Sequence, residues 1–184
     1  MAQKIMLIRH AEKPGDNGKI KGVSADGAHD EEELIVRGWQ RAGALVRLFA
    51  PRDGMFVDER LATPRTIFAS AVGKHSKSLR PQHTVLGLAT LLQLRLDLDH
   101  AKGEEEALVK DALAADGPVL IAWEHEAIPA IANRILGGSS SCPQIWPGAR
   151  FDLVWIFDRR AAGWRFAQVP QLLLAGDSPQ PIPV

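Results

Sequence analysis

The sequence predicts a layered α/β fold around a central sheet that is largely parallel but mixed. Short apolar runs of strand length alternate with segments whose apolar residues recur at helical spacing, the order that builds parallel strands joined by crossover helices. Several of these runs stop abruptly at charged residues, as buried strands do on reaching the edge of a sheet. Two alternating segments near residue 160 read as a hairpin, and a hairpin makes the sheet mixed.

Taken in order, residues 4–8 form the first strand, which delivers Arg9 and His10 at its tip. Residues 11–33 are rich in Gly, Asp, Asn and Glu without apolar period and read as one long loop, a length that often carries function. Ile35, Trp39, Ala42, Val46 and Phe49 recur at helical spacing. Asp30, Glu31, Glu32 and Glu33 precede them, where acids suit a helix N-terminus, and Pro51 ends the pattern. Residues 66–70 form a strand, and a basic loop over 71–79 leads to Arg80 and a helix opened by Pro81, with Val85, Leu88, Ala89 and Leu92 buried. A third helix begins near Gly103 with Glu104, Glu105 and Glu106 in its first turn, and Asp116-Gly117 closes it. Residues 118–123 are a buried strand ending in Glu124-His125-Glu126, followed by a helix with Ile128, Ile131, Ala132 and Ile135 on one face. Gly137 and Gly138 with the serines after them read as its stop. Residues 151–157 and a strand starting near Trp164 make the hairpin.

A chain of 184 residues with 46% hydrophobic and 24% charged composition has the balance of an ordinary globular protein, here one domain spanning 1–184. At this length folding buries roughly 70% of the unfolded surface, so no metal or disulfide is needed to hold a core. The 22 basic and 22 acidic residues cancel and form no long basic block, which argues against nucleic acid as a partner. Cys142 is the only cysteine, so no intrachain disulfide forms. No apolar run approaches the ~20 residues that span a bilayer, which argues against a membrane. Together with the lack of a secretory-type leader, this makes the cytoplasm the expected compartment.

In open α/β sheets ligands bind beyond the carboxyl ends of the strands. Arg9-His10 and His125 fall at that edge, and Arg80 on a junction leaving it. These residue types suit a phosphoryl group. Arginine is permanently charged and meets phosphate oxygens with paired N–H donors, while a neutral imidazole is a competent nucleophile without an added base.

LIRHAEKP at residues 7–14 resembles the arginine-histidine-glycine signature of the histidine phosphatase superfamily, with Ala11 in place of the glycine. LIVRGWQRA at 34–42, SLRPQHT at 78–84 and VLIAWEHEAIPA at 119–130 are similar to its further segments, in the same order. Ile35 replaces a common threonine, His83 a common glutamine and Glu124 a common glycine. The resemblance implies a phosphoglycerate mutase-like three-layer α/β/α sandwich. It implies that His10 becomes a phosphohistidine, that Arg9, Arg80 and His125 hold the phosphoryl oxygens, and that neither metal nor cofactor takes part. Lys13, three positions after His10, matches a third basic residue of the acid phosphatase branch and is a further phosphate contact. Glu126 matches that branch's acid and is the expected proton donor, with Glu104, Glu105 and Glu106 as rivals at the interval where the mutase branch keeps a glutamate. The activity implied is hydrolysis of a phosphomonoester or phosphohistidine, on a phosphorylated small molecule or a phosphoprotein. A phosphomutase and a noncatalytic phosphate-binding domain are the alternatives.

The remaining histidines, His29, His75, His83 and His100, lie among polar residues and are expected in solvent, as is Cys142. Trp39, Trp155 and Trp164 are expected in the core, and Trp123 and Trp146 could border the pocket only if their loops fold inward.

Overall fold

The computed structural model describes residues 1–15, 19–138 and 141–184. Residues 16–18 of the expected long loop and the serines at 139 and 140 therefore lie outside the described residues. Six strands form one sheet: β1 (Lys4–Arg9), β2 (Thr66–Ala69), β3 (Leu96–Asp97), β4 (Pro118–Trp123), β5 (Leu153–Arg160) and β6 (Gly163–Pro170). Their order across the sheet is β3-β2-β4-β1-β5-β6. The first four of that order are parallel, and β5 and β6 are antiparallel, as the expected hairpin requires. β3 escaped the sequence reading because two residues carry no period. It exists through its pairing with Ile67 and Phe68 of β2.

Alternation along the strands feeds two cores. Ile5, Leu7, Val119, Ile121 and Trp123 face one layer with α3 (Glu105–Ala114) and α4 (Ile128–Leu136). Met6, Ile8, Leu120 and Ala122 face the other, with α1 (Val36–Phe49) and α2 (Arg80–Leu92). This is the three-layer α/β/α sandwich. The apolar stripe of α4 is buried as read, and Pro81 stands in the first turn of α2.

Four local expectations are corrected. The buried face of α1 is Gly38, Arg41, Ala42, Leu45, Leu48 and Phe49, so Trp39 and Val46 are only half-buried flanks. No acid lies in its first turn, because the acids at 30–33 belong to a folded loop whose carbonyls are used elsewhere. His83 and His100 leave solvent for carboxylates, His83 at 2.7 Å from Glu33 and His100 at 2.9 Å from Asp111. Cys142 is buried beside Asn133, and Trp123 and Trp146 are core residues.

Two features tie α1 to the end of β1. A Cβ on Gly38 would stand 2.5 Å from the Glu12 carbonyl oxygen, so only glycine lets the helix come this close. The same carbonyl accepts from Ile35 N at 3.1 Å. The Arg41 side chain, 2% exposed, then grips Glu12 at 2.9 Å, Asp177 at 2.7 Å and Gln171 at 2.9 Å. Burial opposes its charge, but the bonds to Asp177 and Glu12 more than offset that and hold its pKa above the ordinary arginine value. Removing one member of such a buried set leaves uncompensated charge. Arg41→Ala is expected to lower stability by about 3–5 kcal/mol in urea unfolding, because two buried carboxylates lose their partner.

Candidate active site

β1 and β4 pair in register and stop at the same level, with Arg9 opposite Trp123. His10 N still donates to Trp123 O at 2.9 Å, so the next residues, His10 and Glu124, leave the sheet side by side. On the far side of β4, β2 hands the chain to the loop that leads into α2. Arg80 is the first residue of that helix. Ala11 N donates to Thr84 Oγ1 at 2.8 Å, and that hydroxyl donates to Arg80 O at 2.7 Å, which locks the start of α2 to the turn after β1.

His10 is 5% exposed. Its Nδ1 lies 2.7 Å from the Ala11 carbonyl, which can only accept, so the proton sits on Nδ1 and Nε2 keeps its lone pair. Burial first, then the positive charges of Arg9 and Arg80, push its pKa down to about 3 despite the opposing bond to Ala11. The ring is neutral at physiological pH, as a nucleophile must be.

Arg9 is 1% exposed. Its Nη1 donates to Gly148 O at 2.6 Å and Arg150 O at 3.0 Å, and its guanidinium carbon stands 3.7 Å from the Phe151 ring centre. Nε and Nη2, the two donors of its side edge, are buried with no partner among the described residues. An unmet buried donor costs about 1–3 kcal/mol, more when charged. Burial lowers the Arg9 pKa to about 10, so the group is still charged. Arg80 is used differently. Its Nε donates to Glu33 O at 3.1 Å and its Nη2 to Glu31 O, so the corresponding edge is already occupied. Burial lowers its pKa as well, while nearby Glu32 and Glu33 counter the shift.

His10, Lys13, Arg80, Glu124, His125 and Glu126 line one cavity of about 160 Å³, with Ser76, Ser78, Pro81 and Lys102. Larger concavities, of about 890, 490, 330 and 240 Å³, contain neither His10 nor His125. His125 is half-buried beside Gly148, and desolvation followed by the Arg9 charge lowers its pKa.

The carboxylates divide sharply. Glu126 is exposed and bonded to Lys102 at 3.1 Å, a contact that holds its carboxyl below the usual range and therefore ionised. Glu104 accepts from Ala101 N, Glu105 from Gly103 N and Trp123 Nε1, and Glu106 pairs with Arg134. None of those three lines the cavity. Glu124 does line it, and burial raises its carboxyl to about 6.

Among solved structures, a mycobacterial glucosyl-3-phosphoglycerate phosphatase complexed with VO3 superposes with a TM-score of 0.53 at 15% identity, over 90% of this chain and 97% of that one. The protein histidine phosphatase SixA complexed with tungstate gives 0.54 at 12% identity, over 91% and 97%. Phosphoserine phosphatase from Entamoeba histolytica, in complex with 3-phosphoglyceric acid, gives 0.54 at 13% identity, over 90% and 95%. The fold is that of the histidine phosphatases. No protein-family model and no curated protein matches the sequence.

Within this histidine phosphatase fold, the sequence-derived residues converge. His10, Arg80, His125, Lys13 and Glu126 share the cavity, and Arg9 is buried next to His10. Sequence reading missed Glu124, Thr84, Phe151 and Lys102. Glu124 was legible only as an odd residue at a glycine position, and the other three carry no local signal.

The folded His10 pKa lies below its unfolded value of 6.5, so its contribution to stability is complete above pH 6.5 and is lost as pH falls toward 3. Across that window His10→Gln should remove up to about 1.4 kcal/mol per pH unit of acid sensitivity, read by thermal melts at successive pH values.

Proposed function

We propose that this protein is a phosphatase that hydrolyses phosphate monoesters through a covalent phosphohistidine on His10. The observation that carries the reading is the unmet side edge of Arg9, buried next to a histidine held neutral by burial and cations. A phosphoryl group satisfies both features at once: its oxygens take the paired Nε and Nη2 donors, and its phosphorus takes the Nε2 lone pair. Arg80, Lys13 and His125 line the cavity with His10 and add charge and donors there. Phosphoryl transfer passes through a loose transition state with charge on the equatorial oxygens, so such preorganised cations supply most of the catalysis. That neighbouring folds are complexed with VO3 and with tungstate supports an oxyanion ligand.

In the first half-reaction His10 Nε2 bonds to phosphorus as the ester P–O bond breaks. In the second, water displaces the imidazole and inorganic phosphate leaves. His10→Ala should cut hydrolysis of 4-nitrophenyl phosphate on the order of 10³-fold or more, and the acid-labile label trapped from native enzyme should disappear. Undiminished turnover in that variant excludes the mechanism.

The Arg9 edge makes a separate prediction. Orthovanadate at 100 times its Kd should stabilise the native protein by about 2.7 kcal/mol in thermal melts. Arg9→Lys keeps the charge but loses the fork, and should weaken vanadate roughly tenfold or more. Equal affinity in the two proteins would place the anion elsewhere.

A further inference from the structure

We infer that Glu124, rather than Glu126, is the proton donor to the leaving oxygen, and that the substrates are accordingly phosphate esters of alcohols with poor leaving groups. The inference rests on the phosphohistidine reading of His10 and adds a role to it.

Geometry carries it. Glu124 follows Trp123 at the point where β4 stops level with β1, so it leaves the sheet beside His10 and lines the same cavity. Its side chain is only 14% exposed, and its Oε1 is buried without a hydrogen-bond partner among the described residues. A carboxylate buried in that way is costly, and protonation is the cheapest relief. The cation that could ionise it is kept busy: Lys102 Nζ stands 3.9 Å from Glu124 Oε1 but bonds Glu126 at 3.1 Å. The charged groups facing Glu124 are Lys102 from the segment before α3, Glu105 from α3, Glu126 from its own turn, and the cavity's Lys13 and Arg80. Burial outweighs Lys102 and a hydrogen bond from Glu124's own backbone, is reinforced by Glu105 and Glu126, and pushes the carboxyl up to about 6. Glu126 has the opposite surroundings: exposed, ion-paired and already deprotonated, it has no proton to give.

The steps balance. As the N–P bond forms at His10 Nε2, the ester oxygen keeps the electron pair of the broken P–O bond and takes the Glu124 proton, leaving as a neutral alcohol. The Glu124 carboxylate then removes a proton from the water that attacks phosphorus. The P–N pair returns to Nε2, phosphate departs, and Glu124 is an acid again. An alkoxide is a far poorer leaving group than an activated phenolate, so a built-in donor matters for alkyl esters and hardly for dinitrophenyl phosphate.

The test compares glycerol phosphate with 2,4-dinitrophenyl phosphate. Glu124→Gln should lower kcat/KM for the alkyl ester about 10²-fold or more while leaving the dinitrophenyl ester within about threefold. In the native enzyme, where folding of a variant is not in question, alkyl-ester turnover should fall as pH rises through about 6 and dinitrophenyl-ester turnover should not. Equal losses for both esters in Glu124→Gln, no loss for either, an alkyl-selective loss in Glu126→Gln instead, or pH profiles of one shape for both esters would each overturn the assignment. Turnover surviving in His10→Ala would instead remove the phosphohistidine reading itself, so the two failures are distinguishable.

Discussion

The in-register parallel pairing of β1 and β4 sets the level at which both strands end, and every group at the cavity is placed relative to that level. Because Arg9 stands opposite Trp123, the first residues beyond the ladder are His10 on one strand and Glu124 on the other, joined by the last backbone bond from His10 N to Trp123 O. A slip of one residue would exchange faces along the whole strand and bury the histidine in an apolar layer. The registry is protected by burial on both sides, since odd residues of β1 pack under α3 and α4 and even residues under α1 and α2.

Around this pair the molecule carries a deliberate electrostatic imbalance. Arg9 and Arg80 bring positive charge from two segments to a ring whose own pKa is pushed down to about 3, and the buried Arg9 keeps two donors unmet among the described residues. Each of these features costs folding free energy, and each is what an incoming dianion would relieve. The stability is recovered nearby. Arg41, with its carboxylates and Gln171, forms a satisfied buried network, and it anchors Glu12, two residues past His10.

How much was legible varied with the physics behind each signal. β4 and the stripe of α4 were read correctly because their apolar periods match what packing demands. The acids at 30–33 were misread as a helix start because charge sequence alone does not say whether side chains or backbone do the work; here the Glu31 and Glu33 carbonyls hold Arg80. His83 and His100 looked solvated because their carboxylate partners lie 50 and 11 residues away. The acid expected at Glu126 rested on its place after His125. Spacing reports adjacency, but it cannot report which of two neighbouring glutamates is dry.

From the sequence alone came the layered α/β order, the strand tips that carry Arg9-His10 and His125, and the set of histidines and arginines that meet at one edge. These follow from local period and residue chemistry, which a linear chain displays in full. Tertiary structure alone decided which donors of Arg9 stay free among the described residues, that Arg80 spends its edge on backbone carbonyls, and that Lys102 bonds Glu126 and leaves Glu124 Oε1 without a hydrogen-bond partner. Those outcomes depend on desolvation and on partners remote in sequence, and neither exists until the chain has closed around the site.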